Sequence, residues 1–308
     1  MSVYRAFGDE AKRHALIADL RGKGPIYTAW LTRASIEGDI SIVSDDFGLH
    51  PALARLLPVL GSFGEAEDAA RFYEALLDAI PIGAETGSLA RQTLLLAWSD
   101  PVYGRSKVVE HGQVRDACED VIALVAQSID TPVDKTAWRA ARAKLANVHG
   151  DNEKMAAAID LAMSLAWDLE RASGAAHDVM TAWASAVSAE ADASDEDCFS
   201  AEENAAFETA MNKINEEAME ALSRRQSIDS IDIEDFLAEA DKIWTADPAR
   251  NALKVRSIAR RERTNAKMAA WRAAIQRRVL ELAEASFPAR TASRFEQNRG
   301  RMLNQSNV

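Results

Sequence analysis

The stretch from Asp247 to Pro288 reads DPARNALKVRSIARRERTNAKMAAWRAAIQRRVLELAEASFP. Asp247 supplies an N-cap, Pro248 suits a first helical turn, and Pro288 cannot continue the pattern, so one helix is expected over 248–287. A helix of 40 residues extends about 60 Å. It needs a partner along its length, because most helix stability comes from packing an apolar face. Met268, Trp271, Ile275, Val279 and Leu282 recur at intervals of 3, 4, 4 and 3, which places them on one such face. Lys267, Arg272 and Arg278 fall on its margins. This stretch argues for an all-α chain.

The neighbouring sequence repeats the pattern. Helices are expected over about 151–172, 174–191, 200–225 and 232–245. Ser200 and Glu203 form a capping box at the start of the third. The acidic run Ala193-Ser194-Asp195-Glu196-Asp197 reads as a linker before it. Within 200–225, Phe207, Met211, Ile214, Ala218 and Leu222 recur at intervals of 4, 3, 4 and 4. Glu203, Glu208 and Glu217 flank this stripe. An acidic stripe and a basic stripe can pair as antiparallel helices with opposite charges at their margins, as in a coiled coil.

The first half is punctuated differently. Of 22 Gly and Pro residues, 18 lie in 1–150, so short helices joined by frequent turns are expected there. They fall at about 9–21, 26–37, 51–60, 64–79, 87–99, 113–129 and 132–147, the last capped by Thr131 ahead of Pro132. Ile40 to Ser44 is the one strand-like run, and it reads as a loop inserting two aliphatic side chains into the core. A boundary near Val148-His149-Gly150-Asp151 separates a compact short-helix domain, 1–150, from a long-helix region, 151–308. There Gly150 offers a left-handed helix end and Asp151 the next N-cap. Ala-Trp pairs at Trp30, Trp98, Trp138, Trp167, Trp183 and Trp271 have no fixed period. They read as small-beside-large packing rather than a solenoid.

Composition supports this reading. The 308 residues include 59 Ala and are 48% hydrophobic, which favours helix and excludes a disordered chain. No apolar run approaches the roughly 20 residues of a membrane span. The charged N-terminus lacks the apolar core of a secretory signal. Cys118 and Cys198 are too few for a disulfide framework. A cytoplasmic protein that avoids membranes is expected.

Charge is the sharpest feature. The net −12 divides into −4 over 1–150, −17 over 151–245 and +9 over 246–308. The basic segment sets Arg256, Arg260, Arg261, Arg263 and Lys267 in a stretch, Ala259 to Ala266, without a large apolar residue. Such a row can project into solvent and meet an acidic partner, either a protein or nucleic-acid phosphates. A pI near 5.0 and the −17 segment oppose phosphate over a Debye length of roughly 8–10 Å.

Motifs for chemistry are sparse. There is no phosphate loop, dinucleotide fingerprint or nucleophile elbow, no His-x-x-x-His pair and no Glu-x-x-His, so no cofactor is expected. Two polar loops remain. Ser44 to His50 gathers Asp45, Asp46 and His50, a set suited to a metal or to acid–base work, or to capping a turn with His50 on the surface. Ser99 to His111 gathers Tyr103, Arg105, Lys107 and His111, a set suited to an anion. The run Gly83 to Ser88 precedes a helix with Arg91, where free backbone N–H groups attract negative charge, or where Thr86 or Ser88 more simply supplies the N-cap. The leading expectation is a non-enzymatic scaffold or adaptor that engages a protein, or a second copy of itself, through its C-terminal helices. A nucleic-acid accessory protein using the basic helix comes second. An enzyme with a small polar site in residues 44–111 comes third.

Overall fold

The computed structural model of the chain describes residues 4–23, 42–62, 65–110, 112–225, 227 and 230–288. Among the described residues there are twelve α-helices and no strand. In order they are α1 (Glu10–Lys23), α2 (Ile42–Phe47), α3 (Pro51–Gly61), α4 (Ala66–Ala79), α5 (Gly87–Ser99), α6 (Gln113–Asp130), α7 (Lys135–Leu145), α8 (Glu153–Leu165), α9 (Gly174–Ala193), α10 (Ala201–Ser223), α11 (Ile233–Ala246) and α12 (Pro248–Ser286). A short 3₁₀ turn covers Arg105–Val108. The fold class is all-α. The helix expected over 26–37 lies outside the described residues.

Local signals explain most element ends. Ser200 accepts from the Glu203 amide and the Glu203 side chain returns to the Ser200 amide, closing the expected capping box. The Asp247 carboxylate accepts from the amides of Ala249 and Arg250 and starts α12. Elsewhere the cap shifts. Asp134, not Thr131, caps α7 by accepting from Thr136. Asn152, not Asp151, caps α8 by accepting from Met155 at 2.9 Å. Gly150 is absent from the positive-φ residues; an added Cβ would sit 2.5 Å from the Ala156 nitrogen, so this glycine serves close backbone approach. Ile42 to Phe47, read as loop, forms the short helix α2 with Val43 buried. It ends at Gly48, where φ is +67° and an added Cβ would meet the Arg5 carbonyl oxygen at 1.8 Å. Only glycine fits that turn.

The chain forms two compact units, one of residues 1–187 and 268–308, the other of 188–267. The position near 150, expected as a boundary, lies within residues 1–187 of this division. In that unit Ala117 and Val121 of α6, Trp138 of α7 and Ala158 and Leu161 of α8 share one core. The second half of α12 also belongs to this core. Trp271, 1% exposed, meets the Trp183 ring of α9 edge-on at 5.4 Å between centroids. Gln276 donates to the Leu60 carbonyl at 2.6 Å, and Arg272 reaches the Glu65 carbonyl and the Asp68 carboxylate. A side-chain amide and a guanidinium thus satisfy backbone oxygens near the end of α3 and the start of α4.

The second unit contains α10, α11 and the first half of α12. Its small core joins Ile214 and Ala218 of α10 to Ala240 and Trp244 of α11. Phe207 stacks on Trp244 at 5.6 Å, pairing the start of α10 with the end of α11, so the two helices run antiparallel. The expected pairing of the α10 stripe with the Met268–Leu282 stripe is also corrected: the acidic stripe packs on α11, and the basic helix's stripe packs on Trp183.

Candidate functional site

The five basic residues of α12 were expected to project into solvent and meet an acidic partner; four are paired within their own unit, Arg263 and Lys267 on its exposed surface. The Arg263 guanidinium holds the Asp195 carboxylate in two parallel bonds of 2.7 and 2.8 Å and reaches Asp197 at 3.2 Å. Arg256 pairs with Glu203 and also donates to the carbonyls of Asp197 and Cys198. Arg260 pairs with Asp192 at 3.0 Å. Lys267 donates to the Ala191 carbonyl and the Ser194 hydroxyl. Arg256 and Arg260 also lie over the Phe199 ring, 4.7 and 4.6 Å from its centroid, a cation–π arrangement. The acidic linker, with Asp192 before it and Glu203 after it, is thus bound by the basic row of the same unit. The Arg263 hydrogen bonds hold the Asp195 carboxyl far below the usual carboxylate range, helped by the Asp197 backbone amide. The Arg256 hydrogen bond does the same to Glu203, helped by the Ser200 amide.

This pairing changes what unit 188–267 presents to a partner. It carries 11 basic and 19 acidic residues. Among the described residues every cation but Arg261 meets a carboxylate or a polar oxygen of the unit. Glu202, Glu208, Glu216, Glu234 and Asp235, by contrast, have no cation beside them among the described residues. The unit also exposes apolar side chains. Of the eight large hydrophobic residues left exposed among the described residues, Met211, Met219, Ile233, Leu237, Val255 and Ile258 lie in it, with Ile233 at 66% and Leu237 at 59%. Met211, expected inside the α10 stripe, is exposed instead.

The two polar loops of the first unit make capping and packing contacts. His50 is buried and caps α3: its Nδ1 accepts from the Ala52 amide at 3.1 Å, leaving Nε2 to donate to Glu170 Oε1 at 3.1 Å. Its own amide donates to the Thr86 hydroxyl. The surface position expected for His50 is corrected, and its polar partners are Ala52, Thr86 and Glu170 rather than Asp45 or Asp46. Asp45 is exposed and Asp46 half-buried on α2. Burial lowers the His50 pKa below its ordinary value, Glu170 works against that, and Arg91 works with it. Arg91 donates to the same Glu170 oxygen at 2.6 Å. Burial pushes the Glu170 carboxyl up, but Arg91 and His50 outweigh it and hold the group below its usual range.

The α5 N-terminus, expected to attract an anion, already holds one. Glu85 accepts from the Gly87 amide at 2.6 Å and from Ser88 at 3.4 Å. A Cβ on Gly87 would strike Glu85, Arg91 and His50 at 2.6, 2.8 and 2.9 Å, so the cluster closes over that glycine. In the second loop, Asp100 caps Val102 and Tyr103, the Tyr103 carbonyl accepts from the Trp183 indole at 2.9 Å, and Lys107 donates to the Val102 carbonyl. Arg105 is buried. His111 lies outside the described residues. These contacts anchor the loop, and Lys107 also lines a cavity with Val108, Glu110, Asn152, Glu153 and Lys154. Sequence reasoning missed Glu170: it sits 120 positions from His50, and no local signal links the two.

Among the described residues, no three His, Cys, Asp or Glu side chains lie together in a way that could hold a metal ion. No described helix is long and apolar enough to cross a membrane. No protein-family model, curated protein or solved structure matches the chain.

Proposed function

We propose that the chain is a non-enzymatic helical adaptor that binds a protein partner through its C-terminal helices, specifically through the unit 188–267. The carrying observation is the concentration of exposed apolar side chains there: six of eight, beside a core of four buried residues. Scattered single hydrophobic residues need no explanation, but adjacent ones mark interaction surfaces, and Ile233 and Leu237 stand one turn apart on α11. The reading also draws on the first unit, where His50, Arg91 and Glu170 are used to hold a helix start and a loop in place. The nucleic-acid alternative loses most of its support, because Arg256, Arg260, Arg263 and Lys267 are occupied and Arg261 alone remains of the row.

The test is light scattering after size exclusion of the tagged full chain purified from its source. A complex heavier than the chain is expected, and a variant with Ile233→Asp and Leu237→Asp is expected to return to the free mass. A chain that carries no second component, or a complex indifferent to that double change, overturns the proposal.

A further inference from the structure

We infer that the partner contributes a basic amphipathic helix, received at the connection end of the α10–α11 hairpin; this rests on the adaptor reading above. The stacking of Phe207 on Trp244 closes one end of the hairpin, so the connection 224–232 lies at the other. That end carries Met219 from α10 and Ile233 and Leu237 from α11, all exposed. Ile233 and Leu237 stand one helical turn apart and continue the line of Ala240 and Trp244, whose side chains are buried. Phe236 packs on the hairpin core from the same turn, so Ile233 and Leu237 form the flank of the α11 stripe that its own hairpin leaves uncovered. An uncovered stripe with an i, i+4 pair suits a helix laid along it, and a methionine beside it adapts to varied apolar shapes.

Charge selects which helix. Glu216 of α10 and Glu234 and Asp235 of α11 border these apolar residues in sequence and have no cation beside them among the described residues. The cations at this end, Arg224 and Arg225, are already paired with Glu220 and Glu239, and four others are held by the acidic linker and Glu203. The surplus at this surface is negative, so Lys or Arg flanking an apolar stripe complements it. Complementary charge raises the association rate and rejects wrong partners more than it adds affinity. A second copy of the chain fits less well: Lys254, Arg256 and Arg260 beside its exposed α12 pair, Val255 and Ile258, are already paired with Asp241, Glu203 and Asp192, which leaves Arg261 next to Glu262.

The probe is a fluorescein-labelled Leu/Lys peptide of five helical turns, about 18 residues, with Leu on one face. It is titrated against the full chain by anisotropy, beside a scrambled peptide of equal composition and a Leu/Glu counterpart. The ordered basic peptide is expected to bind, to weaken with salt, and to lose about tenfold or more in affinity, the scale of a hot-spot loss, on Ile233→Asp with Leu237→Asp. The same loss is expected on Glu234→Lys with Asp235→Lys. Reversal of two exposed carboxylates in the other unit, Asp160→Lys with Asp178→Lys, is expected to leave binding unchanged, and circular dichroism checks that each variant folds. Equal binding of the scrambled peptide, or indifference to the 233/237 change, reduces the effect to general charge adsorption and overturns the inference. If a co-purified partner is nevertheless lost in the 233/237 variant, only the partner's basic chemistry is wrong. If no partner is lost either, the adaptor reading falls with it. A concentration-dependent dimer abolished by Arg261→Glu overturns the inference in favour of a second copy.

Discussion

Trp271→Ala tests the packing that anchors α12. The indole is 1% exposed, lies edge-on to Trp183 at 5.4 Å, and belongs to the core that Met268, Ile275 and Val279 extend. Truncating a buried Trp costs about 3–5 kcal/mol through lost transfer energy and the cavity left behind. At roughly 2–4 °C per kcal/mol for a unit of this size, the melting temperature falls by about 6–20 °C. The assay is thermal unfolding followed by near-ultraviolet circular dichroism, which reports on packed tryptophans. A double-mutant cycle with Trp183→Phe and Trp271→Phe isolates the ring pair, with an expected coupling of about 0.5–1.5 kcal/mol. A fall below about 2 °C, less than 1 kcal/mol on that scale, refutes the reasoning. The stripe would then face something outside the free chain.

Three further outcomes follow from individual groups. Burial holds the His50 pKa below its ordinary value, so the unfolded chain takes up the proton first. Its contribution to stability is complete above about pH 6.5 and is lost as the pH falls below that; urea midpoints at about pH 8 and pH 5.5 should differ less in His50→Asn, which retains a cap acceptor but does not titrate. Asp195 is held low by Arg263, so its contribution is present above about pH 3.9 and is lost on further acidification; carboxyl NMR should show the Asp195 pKa rising toward the ordinary value in Arg263→Ala. Burial pushes the Cys118 thiol up to about 11 while Cys198 is exposed, so a thiol reagent near neutral pH should titrate one cysteine rapidly and the second only on unfolding.

Helices were legible in the sequence because their signals are local. The Ser200–Glu203 box, the Asp247 cap and the Gly and Pro spacing act within a few residues, and the described helices begin and end close to them. Partner choice was not legible. An apolar period says that α10 and α12 each bury a face, but the selection of α11 by Ile214 and of Trp183 by Trp271 is made by shape across the fold. The charge poles were visible as sums. Their pairing was not, because the basic row meets the linker and Glu203 through individual geometries, such as the fork of Arg263 on Asp195. His50 illustrates a related failure: a histidine before proline reads as surface, yet it is buried, one ring nitrogen caps α3 and the other bonds Glu170 in a distant loop.

The central claim is that unit 188–267 is the binding surface of the molecule. Hydrogen exchange of the full chain, free and in its purified complex, tests it most directly, because exchange reports locally on which amides a partner protects. Protection gained across α10 and the start of α11, around Met219, Ile233 and Leu237, is the expected result. Protection confined to residues 1–187, with exchange in 201–246 unchanged, contradicts the claim.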